Sequence, residues 1–260
     1  MLDHTELVIL LDRSGSMETG RADHEGGLRS FVRDQRRLPG SVFLTFVRFD
    51  SHNPFELVYD GTPLDDVDEN QLTLTPRGNT PLLAAVGMTL EHVAARLAKE
   101  KHKPDQTVVM IITDGQENAS HTMERKFTRE QVKKLIADRE ADGWKTLYLG
   151  ANVEEFSEAA GLGVLGQSAL GYVPTSQGIN SMYSALSCNV SNARAMYQAS
   201  ELAGLSDLQV SEQVKSCYNF SDAQRTAAKK IFDGTWDGTS KTVNTLQTKK
   251  NDEEPKPPTT

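Results

Sequence analysis

The sequence predicts an α/β fold with a doubly wound, mostly parallel central sheet that carries helices on both faces. Two apolar runs, TELVILL at 5–11 and TVVMIIT at 107–113, have the length and β-branched content of strands buried on both faces. Segments of strand character alternate with segments of helical character along the chain, as they do in βαβ units. In such a sheet, ligands are expected at the carboxyl ends of the strands.

The first part of the chain contains three predicted strands and two predicted helices. Strands are expected at 5–11, 41–49 and 55–59, and helices at 25–38 and 82–99. The Pro-Gly pair at 39–40 breaks the first helix, and the Asp-Gly pair at 60–61 is expected to form a turn after a short antiparallel edge strand. Pro81 suits the first position of the second helix, because its missing N–H would be unpaired there, with Asn79 or Thr80 as the cap.

The second part of the chain continues the alternation. Strands are expected at 107–113, 145–150 and 169–173, and helices at 128–142, 153–160 and 178–202. Thr128 followed by Gln131 is the pattern of a capping box, which places the start of one helix with some accuracy.

The predicted domain covers residues 1–204, and the pattern weakens beyond it. Two short helices, at 207–217 and 221–232, would form a C-terminal extension over 205–232. Their apolar positions fit docking on the domain and fit a surface for a partner equally well, so both readings stay open. Residues 233–260 are rich in Gly, Thr, Lys and Pro and are expected to be mostly disordered.

The charge balance and the cysteine count narrow the possible functions. Acidic residues outnumber basic ones by 36 to 28, and the resulting net charge of −8 disfavours broad binding to nucleic acid. A solvated helix face and the turn after it are the expected setting of four arginines, Arg29, Arg33, Arg36 and Arg37. Two cysteines form no disulfide framework and no zinc spacing, so a reducing, cytoplasmic compartment is expected. The N-terminal apolar stretch is far too short to cross a bilayer, and no membrane contact is expected.

Oxygen-bearing side chains follow the two apolar runs directly. Asp12, Ser14 and Ser16 come after the first run, and Asp114 comes after the second. Because the carboxyl ends of parallel strands meet at one edge of the sheet, these side chains are expected on one rim. Carboxylate and hydroxyl oxygens are the ligands that hard divalent cations prefer.

The segment Asp12-Arg13-Ser14-Gly15-Ser16 resembles the DxSxS motif of von Willebrand factor type A domains. Thr80, in a Gly-Asn-Thr-Pro loop, and Asp114, in a Thr-Asp-Gly segment, stand where that family has the remaining residues of its metal-ion-dependent adhesion site, or MIDAS. The resemblance covers roughly residues 5–200 and fills the complete MIDAS motif in order. It implies the von Willebrand factor A fold and a soluble, intracellular type of member.

The resemblance also implies a role for each MIDAS residue. Ser14, Ser16 and Thr80 would bind the cation through their hydroxyl groups. Asp12 and Asp114 would act largely through water, or directly when no partner is bound. The expected ion is Mg²⁺, with Mn²⁺ or Ca²⁺ as alternatives. Since neutral hydroxyls satisfy the coordination geometry without neutralising the ion, an open position stays electrophilic, and an Asp or Glu carboxylate of a protein partner can fill it.

Each of these residues also has an ordinary structural reading. Ser14 and Ser16 could cap a helix N-terminus. Thr80 could be only the cap before Pro81, and Asp114 could begin a simple turn. These readings do not explain why capping residues converge with two strand-end aspartates on one rim.

Ordinary structural roles also fit the remaining candidate residues, which are Glu117, four acids of one loop and the histidines. Glu117 could tune the site, and exposed loop polarity explains it equally well. Solubility is the expected role of the acids in the loop at 62–71, which are Asp65, Asp66, Asp68 and Glu69. Six histidines show no metal-binding spacing and are expected at the surface or in loops: His4, His24, His52, His92, His102 and His121.

Three functions are compatible with the motif. The leading hypothesis is a non-enzymatic adaptor that binds a protein partner through the cation. The resemblance points to soluble members of bacterial or phage systems, some of which work beside AAA+ ATPases. The enzymatic alternative is a haloacid-dehalogenase-like, Mg²⁺-dependent phosphohydrolase with Asp12 as nucleophile, but Ser14 stands where that chemistry requires a second acid. The third is a structural or virion-associated assembly component whose metal site is vestigial.

Overall fold

The computed structural model describes residues 4–151, 155–204 and 207–229. These residues form one six-stranded sheet of β1 (His4–Asp12), β2 (Ser41–Asp50), β3 (Asn53–Pro63), β4 (Gln106–Thr113), β5 (Lys145–Gly150) and β6 (Ala169–Gly171). The order across the sheet is β3-β2-β1-β4-β5-β6, with β3 antiparallel to β2 and the other neighbouring pairs parallel. The predicted α/β fold with one antiparallel edge strand is confirmed.

Helices cover both faces of the sheet, because successive residues of a strand point to opposite sides. Leu7 and Ile9 of β1 pack into one core, and Val8 and Leu10 pack into the other. The first core includes residues of α1 (Arg21–Arg36), α5 (Ser176–Leu202), α6 (Asp207–Cys217) and α7 (Asp222–Lys229). The second includes residues of α2 (Leu82–Leu97), α3 (Arg129–Ala141) and α4 (Glu155–Gly161).

The edge strand β3 is longer than its prediction. It runs from Asn53 to Pro63 instead of over 55–59, and the Asp-Gly pair at 60–61 forms a bulge rather than a turn. Gly61 has a φ of 58°, and its N–H donates to Thr45 Oγ1 at 3.0 Å, so the bulge stays bonded to β2. The extra residue is absorbed locally and the antiparallel pairing continues past it.

The arginines of α1 bind the loop that follows β3, and the prediction of a solvated face is wrong for two of them. Arg29 Nε donates to the backbone oxygen of Glu69 at 3.1 Å, and Arg36 Nη2 donates to two other backbone oxygens of the same loop at 2.8 and 2.9 Å. The carboxylate of Glu69 pairs with Arg33 at 2.6 Å and with Arg36 at 3.0 Å. Glu69 is therefore a docking residue, not a solubility residue.

The C-terminal helices α6 and α7 pack against α5 and the edge of the sheet. Val210 and Tyr218 are buried in the same core as β1. Tyr218 OH donates to Gln106 Oε1 at 2.8 Å, and Arg225 Nη1 donates to the backbone oxygen of Ala169 in β6 at 2.6 Å. Of the two open readings of the extension, the one found for 207–229 is docking on the domain.

Three predictions reach beyond the described residues: the start of the helix at 153–160, the end of the helix at 221–232, and the tail at 233–260. Across the part of the chain that the structure describes, no helix combines the length and the apolar character that crossing a bilayer requires.

Candidate metal centre

The polar cluster lies at the carboxyl edge of the sheet, where β1 and β4 end side by side. Asp12 is the last residue of β1, and Asp114 directly follows β4. Ser16 Oγ donates to Asp114 Oδ1 at 2.6 Å, and the hydroxyl oxygens of Ser14 and Ser16 are 3.1 Å apart. The N–H of Ser14 donates to Asp12 Oδ1 at 2.7 Å. Four of the predicted site residues are thus linked by direct hydrogen bonds.

Thr80, the fifth predicted residue, lies beside the same cluster. Gly115 shows its position, because a Cβ atom added there would lie 2.9 Å from Thr80 Oγ1 and 3.8 Å from both Asp12 Oδ2 and Ser16 Oγ. Oxygens from two chain segments therefore surround a point on the third, and the missing side chain of Gly115 leaves that point open. The structure brings all the predicted site residues together.

Hydrogen bonds hold the loop of Thr80 between its two neighbours. On one side, the N–H of Gly15, between the two serines, donates to the backbone oxygen of Gly78 at 3.0 Å. On the other side, Thr80 N–H donates to Asn118 Oδ1 at 2.9 Å, and Asn118 N–H donates back to Thr80 O at 3.1 Å. The three loops therefore form one connected rim.

The ordinary structural readings do not account for the hydroxyl groups. Ser14 precedes a short 3₁₀ turn at Gly15–Glu18, but its side chain makes no capping hydrogen bond. Pro81 occupies the cap position of α2 rather than its first helical position, and α2 has no side-chain cap from that residue. The predicted cap by Asn79 or Thr80 is therefore wrong, and the Thr80 hydroxyl faces the cluster instead.

Glu117 supplies the cap of α2 from another loop. Its Oε2 accepts the N–H of Leu83 at 2.8 Å and the hydroxyl hydrogen of Ser120 at 2.6 Å. Ser120 Oγ in turn accepts the N–H of Ala84 at 2.9 Å. A carboxylate at this end of a helix also interacts favourably with the helix dipole. Exposed loop polarity is thus not the role of Glu117. No local pattern reveals the pairing, since the partners are more than thirty residues apart in sequence.

Asp50, at the end of β2, is a third buried strand-end aspartate that was not among the predicted site residues. Its Oδ2 accepts from Arg13 Nε at 2.6 Å and from Arg77 Nε at 2.9 Å. Its Oδ1 accepts the N–H groups of His52 and Asn53 at 2.6 and 3.0 Å. Its place after a strand is the signal that identified the other two aspartates, and it would have identified this one.

The two carboxylates of the cluster have raised pKa values because they are buried. Burial raises the pKa of Asp12 to about 7. Hydrogen bonds from Thr113 Oγ1 and the Ser14 N–H lower that pKa only in part, and the nearby Asp114 carboxylate adds to the rise. Burial likewise raises the pKa of Asp114, against the effect of the Ser16 hydrogen bond. Among the described residues, no cationic side chain forms an ion pair with Asp12.

The donor chemistry of the cluster fits a hard divalent cation. It offers hydroxyl and carboxylate oxygens only, which suits Mg²⁺, Mn²⁺ or Ca²⁺. Within the described ranges, no group of three or more His, Cys, Asp or Glu side chains is arranged to hold a metal. The serine and threonine hydroxyls therefore decide whether a cation fits, and the open point beside Gly115 is lined by two of them and by Asp12.

Behind the cluster, His24 is buried, and its prediction as a surface residue is wrong. Its Nε2 is 3.3 Å from Tyr172 OH, and its Nδ1 is 3.4 Å from Tyr183 OH. Tyr172 OH also lies 3.3 Å from the backbone oxygen of Thr113 at the end of β4. Burial lowers the pKa of His24 to about 4, so the ring is neutral at pH 7. Its polar sequence neighbours give no sign of burial.

Comparison with known proteins shows similarity in structure but not in sequence, since no family model and no curated protein matches the chain. One similar structure is proximal thread matrix protein 1 from the mussel byssus with a zinc-occupied MIDAS motif. It has 15% identity and a TM-score of 0.52 over 74% of this chain and 46% of that chain. Another is the PilB minor pilin of Streptococcus sanguinis, with 11% identity and a TM-score of 0.53 over 74% and 62%.

A third similar structure is the pilus adhesin SpaC of Lactobacillus rhamnosus GG in an open conformation. It has 10% identity and a TM-score of 0.51 over 73% of this chain and 30% of that chain. The alignment with the mussel protein spans less than half of that protein's length. At these identities the likeness concerns the fold alone, and it supports the von Willebrand factor A type of fold that the motif residues implied.

Proposed function

We propose that this chain is a metal-dependent protein-binding module. In this proposal a divalent cation, Mg²⁺ first, with Mn²⁺ or Ca²⁺ as alternatives, is held by Asp12, Ser14, Ser16, Thr80 and Asp114. When bound, the cation would supply an electrophilic coordination position that an Asp or Glu carboxylate of a partner can fill. The observation that carries the proposal is Asp12, which is fully buried beside hydroxyl groups with no cationic side chain paired to it among the described residues.

The residues of the cluster have different roles in the proposed cation site. Thr113 Oγ1 and the Ser14 N–H each hold one oxygen of Asp12, so the carboxylate is fixed in one orientation. The hydroxyls of Ser14, Ser16 and Thr80 offer neutral oxygens, which leave the positive charge of the ion available to a partner. Ser16 is exposed, so the solvent side of the cluster is accessible to a carboxylate from outside.

The same geometry favours binding over phosphate hydrolysis. Asp12 would be the nucleophile of a hydrolase, yet it is fully buried and both of its oxygens accept hydrogen bonds. Ser14 cannot serve as the second acid, because a hydroxyl does not exchange a proton near neutral pH as a carboxyl group can. A carboxylate that is buried and fixed is better suited to hold an ion than to attack a phosphorus atom.

The charge of the chain makes the cation important for the choice of partner. With a net charge of −8, the protein repels acidic segments in general, so capture of a carboxylate should require the bound ion. The fold shared with a mussel protein that carries a zinc-occupied MIDAS motif supports a metal at this place. We further propose that the module acts as a cytoplasmic adaptor, the location that the cysteine usage of the sequence predicts.

Binding of Mn²⁺, measured by electron paramagnetic resonance, tests whether the cluster holds a divalent cation. The chelator-treated protein should bind one equivalent, and Ser16→Ala should weaken binding by about tenfold, because one hydroxyl donor is lost. Ser184→Ala is the matched control, since Ser184 is an exposed serine on α5 outside the cluster. A wild-type protein that binds no Mn²⁺ would contradict the proposal.

Retention of a poly-glutamate peptide on the immobilised protein tests whether the bound cation captures the carboxylates of a partner. Retention is expected in millimolar Mg²⁺. It should be lost in EDTA and reduced in Ser16→Ala, while Ser184→Ala behaves as wild type. Equal retention with and without chelator would show that the carboxylates bind elsewhere.

A further inference from the structure

A buried ionic cluster lies directly beside the metal centre and none of its members is a metal donor. Its centre is Asp50, which is completely buried at the end of β2. Both of its oxygens are occupied, one by the guanidinium groups of Arg13 and Arg77 and the other by two backbone N–H groups of the β2–β3 turn. Four hydrogen bonds to one carboxylate make it a fixed point for three chain segments.

Two of those segments carry the proposed metal donors. Arg13 stands between Asp12 and Ser14, and Arg77 stands three residues before Thr80. A backbone bond from Arg77 N–H to Arg13 O, 2.8 Å long, joins the same two segments again. The distance between the serine loop and the threonine loop is therefore set by Arg13 and Arg77 as well as by the metal donors themselves.

The third segment, the β2–β3 turn, completes the connection. Ser51 N–H donates to the backbone oxygen of Asn79 at 3.0 Å, and Asn79 N–H donates to Ser51 Oγ at 2.9 Å. Asn79 is the residue immediately before Thr80. Asp50 thus orders the turn by accepting two of its backbone N–H groups, and the turn is hydrogen-bonded directly to the threonine loop.

We propose that Asp50 is a positioning residue of the metal centre, whose negative charge holds Arg13 and Arg77 and thereby sets the separation of the hydroxyl donors on the two loops. The inference rests on the proposed metal binding. Outer partners of metal ligands commonly change metal affinity by about ten- to a hundredfold when they are altered. Asp50 would act in this way through Arg13 and Arg77, without touching the ion.

The charge of Asp50 is the feature that distinguishes this role from ordinary loop packing. In Asp50→Asn the amide oxygen can still accept the backbone N–H groups of the turn, but two guanidinium groups lose their shared anion. Arg13 is almost fully buried, so its charge cannot be compensated by water. Arg13 keeps its ion pair with Glu56, but its Nε loses the anion that ties it to the end of β2, so the serine loop is held less firmly.

Mn²⁺ binding to the full chain is the measurement, with affinity and the line shape of the bound ion recorded by electron paramagnetic resonance. Asp50→Asn should bind Mn²⁺ about tenfold or more weakly, and the spectrum at saturation should change because the donors are displaced. The control is Glu158→Gln, which removes a half-buried carboxylate that pairs with Arg129 Nη1 at 2.9 Å and belongs neither to the ionic cluster nor to the metal centre. The control should keep wild-type affinity and line shape.

Arg77→Gln provides a second variant if Asp50→Asn does not fold. Arg77 is about half exposed, and its loss leaves Arg13 paired with Asp50. A loss of about threefold in Mn²⁺ affinity with an altered spectrum is expected. Wild-type affinity and line shape in the folded variants, or an equal loss in Glu158→Gln, would overturn the inference. A wild-type protein without Mn²⁺ binding would instead remove the proposed function, on which the inference depends.

Discussion

Asp12 and Asp50 end neighbouring strands of the same sheet, and both are completely buried, yet their surroundings are opposite. Burial alone would raise the pKa of Asp50. Hydrogen bonds from Arg77 and from two backbone N–H groups, together with the charge of Arg13, bring it below its usual value. Asp12 has a threonine hydroxyl and a backbone N–H as partners, and burial keeps its pKa near 7.

The difference shows where the chain provides its own counter-charge and where it does not. A buried carboxylate is costly unless it is paired, and Asp50 is paired twice from within the protein. Burial and the nearby Asp114 carboxylate disfavour the charged form of Asp12, and its hydrogen bonds to Thr113 and Ser14 offset this only in part. In the proposed function, an external cation would supply the missing counter-charge of Asp12. Each prediction below changes the surroundings of one of the two aspartates.

The largest expected effect is a change with pH in the free energy of unfolding of the protein when a chelator keeps it free of metal. The folded pKa of Asp12, about 7, lies above the ordinary aspartate value of 3.8. Its stabilising contribution is therefore present below about pH 4 and is lost as pH rises through about 7, a change of about 4 kcal/mol. Urea unfolding of the wild type in EDTA should show this decline relative to Asp12→Asn, and millimolar Mg²⁺ should remove most of it. Identical pH profiles for the two proteins in EDTA would show that the buried carboxylate of Asp12 does not have a raised pKa.

The two aspartates should respond oppositely to neutralisation. In EDTA at about pH 8, Asp50→Asn should lose about 3 kcal/mol of unfolding free energy, because the buried guanidinium of Arg13 and the half-exposed guanidinium of Arg77 lose their shared anion. Asp12→Asn should be no less stable than the wild type under the same conditions, because an unpaired buried charge is removed. Chemical unfolding of both variants provides the numbers. Equal destabilisation by both substitutions would mean that Asp12 is already compensated within the chain.

A smaller effect on Mg²⁺ affinity is expected when a methyl group is added inside the cluster without any change of charge. In Gly115→Ala the new methyl group would lie 2.9 Å from Thr80 Oγ1, closer than a relaxed contact allows, so the hydroxyl must shift. Mg²⁺ affinity by calorimetry should fall about tenfold. Gly26→Ala is the control, because an added methyl there meets nothing within 4 Å. Unchanged affinity in Gly115→Ala would place the ion away from Thr80.

Position after an apolar strand identified the two aspartates of the cluster, whereas Thr80 was identified only through the family resemblance. Asp12 and Asp114 follow continuous apolar runs, and parallel strands bring their ends together whatever the loops do. Asp50 follows a strand in the same way, but its meaning comes from Arg13 and Arg77, which reach it only after the loops have packed. A pattern along one segment contains no information about such a contact.

The other departures have the same origin in long-range contacts. Gly61 reads as part of a turn, yet its bond to Thr45 lets β3 continue through a bulge. His24 lies in a polar segment, and two tyrosines from distant parts of the chain bury it. Glu117 caps a helix that begins far earlier in the sequence. Local propensity sets the type of each element, while tertiary packing sets its length and partners.

The most direct measurement is a calorimetric titration of Mg²⁺ into chelator-treated wild type and Asp12→Asn, at about pH 8 where Asp12 is ionised. If the buried carboxylate of Asp12 lacks a counter-charge within the chain, the wild type should bind one ion and Asp12→Asn should bind none. Absence of binding by the wild type, or equal binding by both proteins, would contradict a cation site built around Asp12.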